Sequence, residues 1–263
     1  VEFLNRIRTF ETARIAAHLQ PGARILEIGA GTGRQALDLA ARGFSVDAIE
    51  IQASNYAGDR LFPITEYDGR HIPFPDATFD IVFSSNVLEH VTDLPQLHAE
   101  IRRTLRRGGY CVHVLPTHAW RFWTTLSAFP VGFQKAARLS LSLARRARSL
   151  PRKIVGLLAA PFVALGYIFG PFVQGRHGER GNVFSELWLF HPRWWRANFR
   201  ANGFEIIADE PIGLFYTGHF LLGPLSSFER RARWSRRLGS ACHLFKLRVA
   251  AGAPDDAGRT PAA

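Results

Sequence analysis

The chain has 263 residues, with 33 Lys or Arg against 22 Asp or Glu and a formal net charge of +11. That length can bury a full core, and one domain carrying a large insertion is the natural organisation. The two cysteines, Cys111 and Cys242, exclude a disulfide framework and supply no metal-ligand spacing, so no metal site is expected and a reduced, cytoplasmic setting is. Residues 1–12 mix charged and apolar groups without the pattern of a secretory leader.

The first chemistry-bearing stretch is Ile25-Leu26-Glu27-Ile28-Gly29-Ala30-Gly31-Thr32-Gly33, a short β-type run that ends in a glycine turn. A helical pattern follows over Arg34 to Arg42, with Ala36, Leu37, Leu39 and Ala40 apolar. Such a βα unit opens a nucleotide-binding sheet, because glycines let a ligand approach the backbone closely. Ser45 to Glu50 predicts a second strand ending in a carboxylate, which can accept hydrogen bonds from both hydroxyls of a ribose. A dinucleotide fingerprint needs glycine at the first, third and sixth positions. Here glycines fall at 29, 31 and 33, and the sixth position is Arg34. Glu27, inside the strand, suits an amino group better than a phosphate. A cofactor with an ammonium, a ribose and no phosphate fits these features, and S-adenosylmethionine is that molecule.

Further along, Tyr67-Asp68-Gly69 precedes Ile72-Pro73-Phe74, and Phe79 to Ser85 reads as a strand running into Asn86-Val87-Leu88-Glu89-His90-Val91, read as the start of a helix. Leu105 to Tyr110 reads as a turn before a strand over Tyr110 to Leu115. With these motifs in order, the chain from about Ala23 to Thr117 resembles the class I S-adenosylmethionine-dependent methyltransferases. The resemblance implies an α/β fold, a doubly wound seven-stranded Rossmann-like sheet. It also implies that Gly29, Ala30, Gly31 and Gly33 cradle the cofactor, that Glu50 with Ile51 holds its ribose, that Asp68 with Gly69 meets its adenine amino group, and that Ser85, Asn86 and His90 lie near it. The plainer alternative for Asp68, which precedes a glycine, is that it only shapes a turn.

After the fifth strand the expected helix and two strands come late: His191 to Asn202, Phe204 to Ala208 and Ile212 to His219. Residues 118–190 are therefore an insertion, expected to be largely helical and to emerge beside the cofactor's methyl group. The organisation expected is a cofactor-binding part over 1–117, the insertion over 118–190, the remaining helix and strands over 191–225, and a basic extension over 226–263. Positive charge belongs to the added material. Between Glu100 and Glu179 there is no Asp or Glu, against 13 Lys or Arg.

The insertion has unlike halves. Phe133 to Lys153 is basic and amphipathic, and Ile154 to Gln174 is uncharged, with Pro161 and Pro171 inside. A single membrane crossing would strand the last two strands on the far side of the bilayer, so 133–174 is read as a peripheral contact with an anionic membrane surface. A buried hairpin or an interface would have the same composition. Nucleic acid is a weaker reading, since a long uncharged run has no role in binding it. The expected location is cytoplasmic, on the inner face of the cell membrane. Gly175 to Asn182 is a charged glycine-rich loop, and an oxygen acceptor would need a base. His90, His118, His177 and His191 are candidates, with Glu179 and Tyr216 behind them; His177, in the polar loop, is preferred and His90 is second. The acceptor read from these features is a small molecule or a lipid-linked intermediate. A soluble enzyme for a quinone-like acceptor and a cofactor-binding scaffold without turnover are the alternatives.

Overall fold

The computed structural model describes residues 2–52, 54, 57–146, 154, 161, 162, 165, 166, 169, 170, 176–217 and 226–252. Five strands run parallel at its centre: β1 (Arg24–Ile28), β2 (Ser45–Ile51), β3 (Thr65–Tyr67), β4 (Phe79–Ser85) and β5 (Leu105–Pro116). They are joined by β6 (Phe204–Pro211) and β7 (Cys242–Val249) in the order β3-β2-β1-β4-β5-β7-β6. Strand β7 lies antiparallel to both β5 and β6.

Alternation along the strands feeds two cores, as a period of two requires. Leu26, Ile28, Val82, Cys111, Leu115, Phe245 and Leu247 point to one face. There they meet α3 (Leu94–Thr104) and α6 (Pro192–Ala201) through Leu97, Ile101, Trp195 and Phe199. Ile25, Ile81, Phe83, Val112, Val114 and Leu244 point to the other, where α1 (Glu2–Ala16) covers them with Ile15. His113 is an exception in kind. Fully buried in β5, it shares a hydrogen bond with Ser84 Oγ of β4 at 2.8 Å and stacks on Phe199.

Helix α4 (His118–Arg146) starts directly after β5, and the short α5 (Glu186–Leu189) precedes α6. The base of α4 is fastened to α7 (Phe228–Leu238) and the turn after it. Trp123 Nε1 donates to the Leu238 carbonyl at 2.9 Å, and a Cβ on Gly239 would lie 2.5 Å from that of Ala119. The uncharged run over 154–174 lies largely outside the described residues. Its described apolar members Ile154, Phe162, Leu165 and Phe169 are exposed.

The seventh strand is not where the sequence reading puts it. Ile212 to Thr217, the described part of the predicted strand, is an extended crossing held by three backbone bonds: the Ile212 amide donates to the Cys242 carbonyl, the Phe215 amide to the Arg231 carbonyl, and the Ala241 amide to the Leu214 carbonyl. Pro211 and the left-handed Gly213 (φ 84°) break its pairing. Its strand-like composition reflects burial of Ile212, Leu214 and Phe215 rather than a ladder. The strand itself is Cys242–Val249, so residues 226–249 form part of the sheet domain and not a basic extension. A chain ended at residue 241 loses the strand between β5 and β6. It is expected to show no cooperative unfolding transition in urea, whereas a chain ended at residue 252 should unfold as the full chain does.

Candidate active site

The turn after β1 is built from close approach. Gly29, Gly31 and Gly33 all have positive φ (70°, 57° and 76°). A Cβ on Gly29 would lie 2.4 Å from Val87 Cγ2, and one on Gly33 would lie 2.6 Å from Phe62 Cβ. The Gly29 and Ala30 amides donate to the Ile49 carbonyl of β2. The start of α2 (Arg34–Ala40), capped by Gly33 without a side-chain bond, is covered rather than open. Leu61 donates to the Thr32 carbonyl at 2.7 Å, and Phe62 and Ile64 pack on Ala30, Ala36 and Ala48. A diphosphate seated on that helix terminus would need the space these groups fill.

Glu50 ends β2 with its carboxylate folded back, accepting from the Gly31 and Ile51 amides, each at 2.8 Å. Those bonds fix it beside the turn and leave lone pairs for further donors. Ile51 is exposed at the strand end. Asp68 does what the turn reading anticipates: Oδ1 accepts from the Arg70 and His71 amides at 2.7 Å, and Oδ2 pairs with His71 Nδ1 at 2.9 Å. The His71 amide and ring, with the Arg70 amide, hold this exposed carboxyl well below the usual carboxylate range. Gly69 (φ 78°) packs against Ile51.

Buried acid gathers at the carboxyl ends of β1 and β4. Glu27 is 3% exposed, and its Oε2 has no hydrogen-bond partner among the described residues. Burial pushes its pKa up to about 8, against the pull of Arg8. Glu89 is buried likewise, and neither of its oxygens makes a hydrogen bond with another described residue. Burial raises it to about 8 as well, again against Arg8. The facing cation, Arg8, comes from α1. It donates to Glu11 at 2.8 Å and to Ser85 Oγ at 3.3 Å. Burial works against its charge, but Glu11, Tyr216 and Cys242 together outweigh that and hold its pKa above the ordinary value. Nothing in the composition of residues 1–12 singles Arg8 out; only the packing of α1 across the strand ends does.

Asn86 leaves β4 in the left-handed region (φ 55°), a conformation Asn tolerates. Its amide group donates to Ser85 Oγ and accepts from Cys242 Sγ. This kink, followed by the Asp93 cap and Pro95, delays α3 to Leu94. His90 therefore lies in a single 3₁₀ turn (Leu88–His90) and not on the helix predicted after β4.

The loop over 176–182 is pinned against that turn. The Glu179 amide donates to the Glu89 carbonyl at 2.9 Å, and Arg180 Nη2 donates to the Val91 carbonyl at 2.9 Å. A Cβ on Gly178 would lie 2.7 Å from the Glu89 carbonyl oxygen. From the other side Glu186 accepts from the His177 and Gly178 amides at 2.5 and 2.8 Å, and its carboxylate forms a buried ion pair with Arg121 at 2.9 Å. The outcome is a pair of imidazoles, His90 and His177, with ring centres 5.0 Å apart and Trp120 against His177. Desolvation holds both below the ordinary histidine value, so both are neutral near pH 7.

The other candidates stand apart from this pair. His118 and His191 stack on each other at 4.4 Å, and His191 caps α6 by accepting from the Arg193 amide. Glu179 is tied to Arg176 at 3.3 Å. Burial raises Tyr216 well above its ordinary value, and its hydroxyl meets Cys242 Sγ at 3.0 Å.

Residues 26–113 match the family model for the methyltransferase domain. That match, over about a third of the chain, supports a class I S-adenosylmethionine-dependent methyltransferase. Among curated relatives it is 31% identical over 122 residues to a 27-O-demethylrifamycin SV methyltransferase of Amycolatopsis mediterranei, a match that covers 40% of this chain and 44% of that one. It is 36% identical over 98 residues to a malonyl-[acyl-carrier protein] O-methyltransferase of Geobacter sulfurreducens, covering 33% and 36%. The chain thus spans less than half the length of these relatives. A methyltransferase from Haloferax volcanii, solved in complex with its Trm112 activator, superposes with a TM-score of 0.52 at 13% identity, covering 94% of this chain and 91% of that one. The methyltransferase from Aquifex aeolicus gives 0.50 at 12%, covering 93% and 92%. These two likenesses concern the fold alone.

The family's cofactor is S-adenosylmethionine, and the residues present fit it. The covered α2 terminus disfavours a diphosphate. The orphaned Oε2 of Glu27 is a ready acceptor for an ammonium, which would stabilise the ionised carboxylate. Since Glu27 with a pKa of about 8 is mostly protonated at pH 7, pairing with an ammonium should expel roughly one proton there and none above about pH 9. Calorimetric titration at pH 7 in buffers of different ionisation heat measures this release, and Glu27→Gln should remove it.

Proposed function

We propose that the protein transfers a methyl group from S-adenosylmethionine to a hydroxyl oxygen of a membrane-associated or lipid-linked acceptor, such as a glycan intermediate of the cell surface. Bound at the β1 turn, the cofactor supplies a methyl group activated by its sulfonium charge. The chain's task is then chiefly alignment. Glu27 takes the ammonium, Gly29, Ala30, Gly31 and Gly33 the body of the ligand, Glu50 with Ile51 the ribose, and Asp68 with Gly69 the adenine edge. Ser85 and Asn86 close the site beside Arg8.

The single observation that carries the acceptor side is the His90–His177 pair next to buried Glu89, brought to the end of β4 by a loop of the insertion. Two neutral imidazoles there suit handling of a hydroxyl proton. The insertion carries the apolar and basic composition: Phe162 is 76% exposed and Phe169 54%, and the sequence over 133–153 is rich in Arg. The location read from this composition is peripheral; among the described residues no helix is long and apolar enough to cross a membrane. A second reading, a soluble enzyme for a small hydrophobic acceptor, is favoured by another relative. A ubiquinone/menaquinone biosynthesis C-methyltransferase of Cupriavidus pinatubonensis is 29% identical over 116 residues.

Incubation of the purified chain with methyl-labelled cofactor and a cell-envelope extract separates the two. Label is expected in the lipid-linked fraction. Label confined to water-soluble products would favour the second reading, and no label at all would support a scaffold. His177→Ala should lower kcat by about 10²–10⁴-fold while cofactor affinity is retained.

A further inference from the structure

Glu89, His90 and His177 bring one carboxylate oxygen and two imidazole nitrogens within 4.8 Å of one another. Three features mark this as more than a chance meeting of polar groups. The Glu89 side chain is fully buried, yet neither oxygen makes a hydrogen bond with another described residue. The Arg side chains around it are spent elsewhere: Arg121 on Glu186, Arg180 on the Leu88 and Val91 carbonyls, Arg8 on Glu11 and Ser85. Finally, His177 is not on a free loop. Glu186 holds its amide, Gly178 has no room for a side chain against the Glu89 carbonyl, and Glu179 donates to that same carbonyl.

A buried carboxylate without a partner is costly unless a cation meets it. Two imidazoles and one carboxylate are the donor set that first-row divalent ions favour, and three protein ligands leave a position open. We propose that Glu89, His90 and His177 form a binding site for one divalent transition-metal ion of the zinc class, its open position facing the acceptor. Donor-to-metal distances of about 2.0–2.2 Å require the three donors to close slightly from their present spacing. His90 and His177, both exposed at the rim, can do this by ring rotation while Glu89 stays in place.

The site deepens the functional proposal without depending on it. With the open position taken by the acceptor's hydroxyl, the ion would lower that oxygen's pKa, and the two histidines would act as ligands rather than as bases. This use rests on the hydroxyl-acceptor reading; the binding of metal does not.

The test uses the full chain, stripped with a chelator and dialysed against Zn²⁺, with metal content read by mass spectrometry and Co²⁺ followed by its visible absorption. One ion per chain is expected, with Co²⁺ bands of four- or five-coordinate intensity. His177→Ala and, separately, Glu89→Gln should each weaken binding roughly tenfold or more. His118→Ala, which alters the other histidine pair, should leave it unchanged. Calorimetric binding of S-adenosylmethionine by each variant confirms that it is folded. Wild-type protein without stoichiometric metal, or metal retained equally by His177→Ala and Glu89→Gln, would overturn the proposal. So would loss of metal in His118→Ala alone. Metal bound without any methyl transfer would uphold the site and sink only its use on a hydroxyl.

Discussion

The carboxyl ends of β1 and β4 bury more negative charge than the protein itself neutralises. Glu11, Glu27 and Glu89 are all buried there, and Arg8 faces them with a direct ion pair to Glu11 only. In a low-dielectric site an unpaired carboxylate either takes up a proton or waits for a cation. The raised pKa values of Glu27 and Glu89 are the ligand-free form of that imbalance. In the function proposed above, a cofactor carrying both an ammonium and a sulfonium would answer it at Glu27. The cluster at Glu89 lies farther toward the insertion and calls for a different cation.

This imbalance can exist only because the surrounding fold is rigid. Glycine at 29 and 33 brings Val87 and Phe62 into van der Waals range of the turn, so the β1 end, the β4 end and the loop after β2 form one packed unit. The buried Arg121–Glu186 pair does the same for the loop that bears His177. A buried pair of this kind contributes little net stability, but removing one partner costs about 3–5 kcal/mol. Its role is to fix position, and here it places an imidazole contributed by the insertion against one contributed by the sheet.

How much of this was legible beforehand divides along a physical line. Strands whose apolar runs end in glycine or in a carboxylate, β1 and β2 above all, announce themselves locally. So does the parallel core through β5, because both faces of those strands are buried. The seventh strand is hidden in the sequence because Ile212 to Phe215 is buried without forming a ladder, whereas Cys242–Val249 alternates with Lys246 and Arg248 inside basic surroundings. Burial and strand pairing produce similar composition, and only long-range contacts separate them. The Glu89–His90–His177 cluster was half visible: both histidines stood out, but residues 89 and 177 meet only through the loop's anchoring to the β4 turn. Arg8 carried no local signal at all. The double anchoring of Asp68 by its own turn, in contrast, was already implicit in its place before Gly69.

The most direct test of the charge argument is a comparison of three ligands by calorimetry on the full chain: S-adenosylmethionine, 5′-methylthioadenosine, which lacks the amino-acid arm, and NAD. The account predicts that S-adenosylmethionine binds at least tenfold more tightly than methylthioadenosine, about 1.4 kcal/mol or more, and that NAD does not bind. Equal affinity for the first two, or tight binding of NAD, would contradict it.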